Sequence, residues 1–510
     1  MSPPTATAKS RKAAKKSPSS RKAKTRKKPD WFLGPIPEDI LSPANFKTEP
    51  KAPEAPHIIP DHRLRFLVTN PALYEVANAV FPRKPRGSRG RPPHYPPYIY
   101  LIYLAGVSIF RNSRAAEAHL QDPGKWEIIR DGVRQVLGAT EADALPHVGP
   151  KLHHWNDFFR DHMRPQVRAL REASRNAWIP QAIASGFLSE ERKRGSWLRP
   201  HRSQVINGDG TVVRSPSDQT EEVTTDERTG KARRHRVDHD AGLQVEGGDR
   251  LIYGKKIVAF SVRQEARCHS RFILNVDNAR HRSPEEDPER EEEAATALRL
   301  THEILDRTDG VIAVSFDTAW RGKHRAPLIR RGLVVYTEQH DGINPTPLAK
   351  YRYPKTKCTH DVYAAVGRSC ERKITADGKT AYNPLPVRQF VARKDVNRWR
   401  FYHEVEIPCR NGGHTELIPL YETAEDRTLD PRTKRMKFNR TEHLRQVPPF
   451  TLLGGRLKGF RQDSESSNCT LDYSHRDNRL PAYGADGALL IYIGYAWMIN
   501  SITLATSRQA

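Results

Sequence analysis

With 510 residues, 37% of them hydrophobic and 28% charged, the chain has length for roughly two to four domains, which excludes a mini-protein, a collagen-like fibre and a wholly disordered tail. Lys and Arg outnumber Asp and Glu by 85 to 60, and this surplus favours a polyanionic partner, nucleic acid or an anionic membrane surface. Residues 1–29 hold 11 Lys/Arg and no acid, so more than half of the net +25 lies beyond them and the body is basic as well as the tail.

The opening KSRKAAKKSPSSRKAKTRKKP has no apolar periodicity and repels itself, which predicts a disordered cationic arm. It serves equally well as a solubility tail, an address or a non-specific phosphate clamp. Pro punctuates 31–60 and predicts a linker with a few docking apolars, so 1–60 is taken as arm and linker. Over 61–195 apolar residues recur at helical spacing, in Arg63–Phe81, Tyr98–Phe110, Ser113–Leu120, Trp126–Leu137 and Lys151–Ala182. A helical, DNA-binding domain is expected there, with a basic loop at Arg83, Lys84, Arg86, Arg89 and Arg91 and a basic face at Arg160, Arg164, Arg168, Arg171 and Arg175.

From 196 the period shifts towards strands: 203–208, 255–262 and 270–276, then a helix over 293–307, strands at 311–316 and 333–338, and a short helix between them. Strand, strand, strand, helix, strand, short helix, strand is the order of a ribonuclease H-like α/β domain, a mixed sheet with flanking helices. The polar stretch 214–254 and the acidic run 283–293 are expected to be loops or helix starts, with Glu291–Glu293 in a first turn where the helix dipole favours acids. A β-rich insertion occupies 339–449, and 454–472 and 487–507 are predicted helices that complete the domain over 196–338 and 450–510. Ala488–Ala505 is 18 residues without a charge, the lower limit for a membrane span. Its Gly494, Asn500, Ser501 and Thr503 favour a buried core helix instead.

Three acids stand out by context. Asp209 lies in INGDGT after the first strand, where Gly208 and Gly210 would let a substrate approach the backbone; Asp317 ends the fourth strand in VIAVSFDTAW; Glu465 lies in GFRQDSESSN on the helix after the insertion. Taken singly, Asp209 would be a turn residue and Asp317 a helix cap. In this strand order the first and fourth strands are neighbours, so their acids converge and a packed helix supplies a third. Such a set of hard oxygens suits two Mg²⁺ or Mn²⁺ ions and phosphodiester chemistry. Asp463 is the competing third ligand, about 200° from Glu465 on a helix, so only one of the two can face the site.

With Asp209-Gly210-Thr211, Asp317-Thr318-Ala319-Trp320, and Arg461 followed by Glu465, the chain over about 200–510 resembles bacterial insertion-sequence transposases of the DDE type. A common subgroup of that family has Tyr three before the Arg and Lys seven after the Glu; Lys458 and Asp472 stand there instead. The resemblance implies cutting of element ends and joining to target DNA by hydrolysis and transesterification, terminal repeats and target duplex as partners, an active homodimer, and a nucleoid-associated cytoplasmic location. It also implies a phosphate contact at Arg461. A metal-dependent DNA nuclease of the same fold, or a DNA-binding relic without catalysis, fits the same residues.

Arg321, Lys323 and Arg325, with His324, Arg330 and Arg331, are expected to track a phosphate backbone beside the site. Trp320 is expected to wedge against the sheet rather than stack on a base. The five cysteines, Cys268, Cys358, Cys370, Cys409 and Cys469, are odd in number, widely spaced and follow no secretory signal, which predicts reduced thiols and no disulfide framework. Cys358, His360, Cys370, Cys409 and His414 could in principle assemble a zinc site, but they contain no Cys-x-x-Cys pair, and a structural zinc is the less favoured reading. Asp238, His239 and Asp240 are expected in a solvated turn. There is no phosphate-binding loop, nucleophile elbow or protease triad, which argues against ATP hydrolysis, esterase and protease chemistry.

Overall fold

A computed structural model describes residues 30–49, 57–82, 94–190, 196–226, 228–246, 250–279, 291–340, 342–429, 431–432 and 438–507. The predicted arm over 1–29, the basic loop from Arg83 to Arg91 and most of the acidic run fall outside these. The fold is mixed α/β, with several mixed or antiparallel sheets and flanking helices.

A short strand, β1 (Trp31–Leu33), opens the described chain. Eight α-helices follow: α1 (Pro60–Val68), α2 (Pro71–Val80), α3 (Pro97–Ile109), α4 (Ser113–Gln121), α5 (Pro123–Leu137), α6 (Ala139–Asp143), α7 (Leu152–Phe158) and α8 (Val167–Ala184). Pro fills the first turn of α1, α2, α3 and α5, where its missing N–H costs nothing.

Of the basic face expected from Arg160 to Arg175, Arg160 and Arg164 precede α8, with Arg160 exposed, while the three arginines on α8 are spent internally. Arg168 meets Asp277 at 2.5 Å, and Arg171 and Arg175 both meet Glu303 at 2.5 Å, with Arg171 and Arg175 buried. These arginines fasten the helical region to the α/β body; sequence periodicity shows a charged face but not the acids that cover it.

The central sheet is built from β2 (Val205–Arg214), β5 (Gly242–Glu246), β6 (Arg250–Arg263), β7 (Arg271–Ala279), β8 (Ala313–Ser315) and β9 (Val334–Tyr336), with β3 (Val223–Thr225) and β4 (Ala232–Arg234) forming a separate hairpin. Across the sheet the order is β7-β6-β2-β8-β9, while β5 pairs the first part of β6. The β7–β6 and β6–β2 pairs are antiparallel; β2–β8 and β8–β9 are parallel. Helix α9 (Glu293–Leu305) links β7 to β8, and α10 (Gly322–Arg330) links β8 to β9.

The stretch expected to be loop over 214–254 thus contributes β3, β4 and β5. Asp238 is buried and ion-paired with buried Lys255, and accepts the N–H of Gly484 at 3.0 Å. Asp240 accepts the N–H of Ala485 at 2.8 Å. His239 and Asp240 lie in an exposed turn as expected, but Asp238 is buried, and the loop seats the start of the last helix.

Residues 339–449 are β-rich as expected. One sheet has the order β1-β13-β12-β11-β10, with β10 (Thr346–Tyr353), β11 (Cys358–Ala365), β12 (Arg368–Ile374) and β13 (Thr380–Pro384). A second holds β14 (Val387–Asp395), β15 (Arg398–Ile407) and β16 (His414–Pro419), and α11 (Arg440–His443) follows. The predicted linker therefore contributes a strand: β1 lies parallel to β13, and buried Asp39 is ion-paired with buried Arg368.

Helix α12 (Leu452–Tyr473) crosses the central sheet, and α13 (Ala485–Ser507) packs against α3 and β7. α13 is long and apolar enough to cross a membrane by length and composition. Its polar groups, however, have partners inside the protein. Asn500 accepts the N–H of Ile273 at 2.7 Å and donates to the Ile273 carbonyl at 2.9 Å, closing the outer edge of β7; Ser501 accepts from Asn70 at 3.0 Å.

Candidate active site

The acids are brought together by register. Val205, Ile206 and Asn207 of β2 lie beside Ala313, Val314 and Ser315 of β8. Two residues further along each parallel chain are Asp209 and Asp317, on the same side because side chains alternate. β2 does not end before Asp209, as the Asp-Gly pair suggested, but runs through it to Arg214, with Asp209 opposite Ala259 of β6. Asp317 follows β8 and its Oδ1 accepts the N–H of Ala319 at 2.8 Å, which holds the carboxylate in a tight local turn. It caps no helix, since α10 begins after Arg321.

The two glycines around Asp209 serve packing. A Cβ at position 208 would strike the Phe260 ring, and one at 210 would strike the Glu293 carboxylate. Both would project to the face opposite Asp209, so the expected substrate approach over these glycines is filled by protein.

On α12, Arg461, Glu465 and Asn468 are spaced four and three apart and share one face. Asn468 donates to Asp209 Oδ2 at 2.9 Å. The Arg461 guanidinium lies 3.9 Å from Asp209 Oδ1 and 3.7 Å from Glu465 Oε1, so it stands between the two acids. Glu465 is 59% exposed, whereas the Asp209 side chain is 16% exposed. Asp463 points the other way: it is buried, meets Arg263 at 2.8 Å and is ion-paired with Arg202. The helix therefore presents Glu465, not Asp463, on the side of Asp209.

Burial pushes the Asp209 carboxyl up to about 6; Arg461 works against this, and the like charges of Asp317 and Glu293 add to it. Glu293 is also pushed up by burial, against the pull of its partner Lys256 and with Asp317 adding to the rise. Sequence reasoning placed Glu293 as a first-turn acid and passed over Asn468 altogether. The spacing of Asn468 from Arg461 and Glu465 is a signal that was present, while the packing of Glu293 against Gly210 has no sequence signature.

The basic residues beyond Asp317 divide. Lys323 is exposed on the surface. Arg321, Arg330 and Arg331 are also at the surface, but meet Glu442 at 2.5 Å, Glu422 at 2.7 Å and Asp306 at 2.7 Å. Arg325 cannot reach a phosphate: it is fully buried and donates to the Thr441 and Leu444 carbonyls. Trp320 is wedged as expected, with its ring 4.8 Å from that of Phe316 and its indole N–H donating to the Ala294 carbonyl at 3.1 Å. No protein-family model matches the chain, and no curated protein matches it in sequence.

Proposed function

We propose that the chain is a DDE-type DNA transposase, with Asp209, Asp317 and Glu465 as the metal-holding acids. The observation that carries this reading is the parallel register that sets Asp209 beside Asp317, with the Arg461–Glu465–Asn468 face of α12 laid over Asp209. The sheet order β7-β6-β2-β8-β9, in which β2 and β8 are parallel neighbours, supports a ribonuclease H-like fold.

The donor set fits divalent cations. A carboxylate raised by burial, with its acidic neighbours adding to the rise, is relieved by an added positive charge, and an all-oxygen set matches Mg²⁺ or Mn²⁺. Two such ions would activate the attacking water or hydroxyl and stabilise the leaving oxygen. The chain's own residues do the rest: Asn468 holds Asp209 at Oδ2 while Oδ1 accepts the Gly210 N–H at 3.1 Å, Asp317 is fixed by its turn, and Arg461, released from the acids it bridges, meets a phosphate oxygen. The partners under this reading are the element's terminal repeats and target duplex, acted on by a homodimer in the bacterial cytoplasm.

The test is strand cleavage and joining on a supercoiled plasmid carrying the gene's own flanking DNA, with Mg²⁺, Mn²⁺ or chelator, for wild type and Asp317→Ala. Metal-dependent cutting and joining that the variant loses is the expected result. Cutting without joining would assign a nuclease, and intact DNA binding without cutting a catalytically silent binder.

A further inference from the structure

The β-rich insertion holds a second cluster, remote in sequence from the three acids. β11 begins with Cys358 and carries His360 two residues on, which places both on one side of the strand. The connection from β15 to β16 carries Cys409 and ends at His414, the first residue of β16. It closes tightly because Gly412 takes φ +103°, and Asn411 ties it to the neighbouring turn through the Thr356 carbonyl at 2.9 Å. One ligand atom from each of Cys358, His360, Cys409 and His414 then lies within 4.8 Å of the other three. A tetrahedral zinc ion with bonds of about 2.0–2.3 Å needs its donors roughly 3.5 Å apart, so a small closing movement is enough.

The surroundings are those of a ligand set. His360 sets Nδ1 against Glu371 Oε1 at 2.7 Å, while its Nε2 is buried without a hydrogen-bond partner. A carboxylate on one imidazole nitrogen fixes the tautomer that leaves the other as a lone pair for a metal. The His414 ring is stacked on Tyr353 at 3.6 Å and 6°, which holds its plane, and Cys358 Sγ lies 3.1 Å from His414 Nε2. The Asn411 N–H points to Cys409 Sγ at 3.5 Å, a donor that a thiolate accepts. Cys370, the fifth candidate in this region, is buried elsewhere, against the carbonyls of Ala365 and Arg368.

We propose that Cys358, His360, Cys409 and His414 bind one structural zinc ion that joins the two sheets of the insertion, with Glu371 orienting His360. The site is closed, with four protein ligands, so its role is to hold β11 to the β15–β16 turn and not to catalyse. It stands apart from Asp209 and Asp317 in chemistry as well as in place, since thiolate and imidazole select zinc where carboxylates select Mg²⁺.

The test uses the full-length chain purified without chelator. Elemental analysis is expected to give about one zinc per chain, and exchange with Co²⁺ an intense tetrahedral visible band with a thiolate charge-transfer band in the near ultraviolet. Cys409→Ser should remove the metal or abolish that charge-transfer pattern, and chelation should lower the melting temperature of wild type but not of this variant. Glu371→Gln, which keeps all four ligands, should weaken zinc binding by about 10–100-fold in a chelator competition. Replacing the exposed Cys268 and Cys469 by Ser should change nothing. A folded chain that takes up no zinc from added ZnCl₂, one whose zinc survives Cys409→Ser unchanged, or one that isolates with a Cys358–Cys409 disulfide in place of metal would overturn the assignment.

Discussion

The side-chain amide of Asn468 donates to Oδ2 of Asp209 at 2.9 Å, across 259 residues of sequence. Under the proposed transposase reading Asn468 is a positioning residue, because it acts through the carboxylate it orients. Asn468→Ala should lower single-turnover DNA cleavage by about 10–100-fold, the usual loss when a ligand's supporting hydrogen bond is removed. Duplex affinity and melting temperature should stay close to wild type, and the divalent-ion concentration for half-maximal cleavage should rise. A purely structural role would move the melting temperature and leave the metal dependence alone.

Asp463 and Glu465, two residues apart, should behave oppositely. Asp463 neutralises Arg202 and Arg263 in a buried position, so Asp463→Ala leaves the Arg263 guanidinium without its acid and Arg202 with Glu49 alone, and should cost about 3–5 kcal/mol in unfolding free energy. Glu465 is mostly exposed, so Glu465→Gln should leave stability within about 0.5 kcal/mol and remove cleavage. Urea unfolding and plasmid cleavage on the same two preparations separate them.

The raised Asp209 carboxyl makes a pH prediction of definite sign. The folded chain holds this proton up to about pH 6, whereas an unfolded Asp releases it near 3.9. Between those values the native state binds more protons, so ionising Asp209 costs stability as pH rises through the window, by at most about 3 kcal/mol. Asp209→Asn should therefore raise the melting temperature relative to wild type at pH 7.5 and not at pH 4. Mg²⁺ or Mn²⁺ should narrow the difference at pH 7.5 by stabilising wild type alone.

Arg325 and Lys323, neighbours on α10, should likewise part ways. Lys323→Ala should leave the melting temperature unchanged and reduce the slope of log affinity against log salt for duplex DNA by about 1 if it meets one phosphate. Arg325→Ala removes a buried guanidinium that donates to two carbonyls and should destabilise by about 2 kcal/mol or more, with the salt slope unaltered. Thermal unfolding and salt-titrated binding on both variants provide the check.

Sequence reading succeeds where a pattern is local and fails where a partner is distant. The five strands and two helices that frame Asp209 and Asp317 follow from apolar period, and their order alone makes the two acids neighbours. The choice of Glu465 over Asp463 follows from helical angle once one of them is known to be buried, but the burial comes from Arg202 and Arg263, far off in the chain. Arg325 and the α8 arginines look like a nucleic-acid surface because charge is visible in sequence and its internal acceptors are not. Asp238 looks like a turn for the same reason, since Lys255 and Gly484 complete it. The Cys/His cluster contains no familiar spacing because its ligands sit two apart on a strand and five apart across a turn, and only the packing of two sheets joins the pairs.

The pairing of β1 with β13, and of Asp39 with Arg368, ties together residues 329 positions apart in the latter case. At about 5–20 residues per second, a ribosome needs on the order of 15–70 s after Asp39 to make Arg368. Through that interval Asp39 has no ion-pair partner, and afterwards a buried guanidinium has no counter-charge until Asp39 docks. Docking of Asp39 therefore waits on synthesis of the insertion. Any shortening that removes Asp39 would be felt in the insertion, where the buried Arg368 loses its acid.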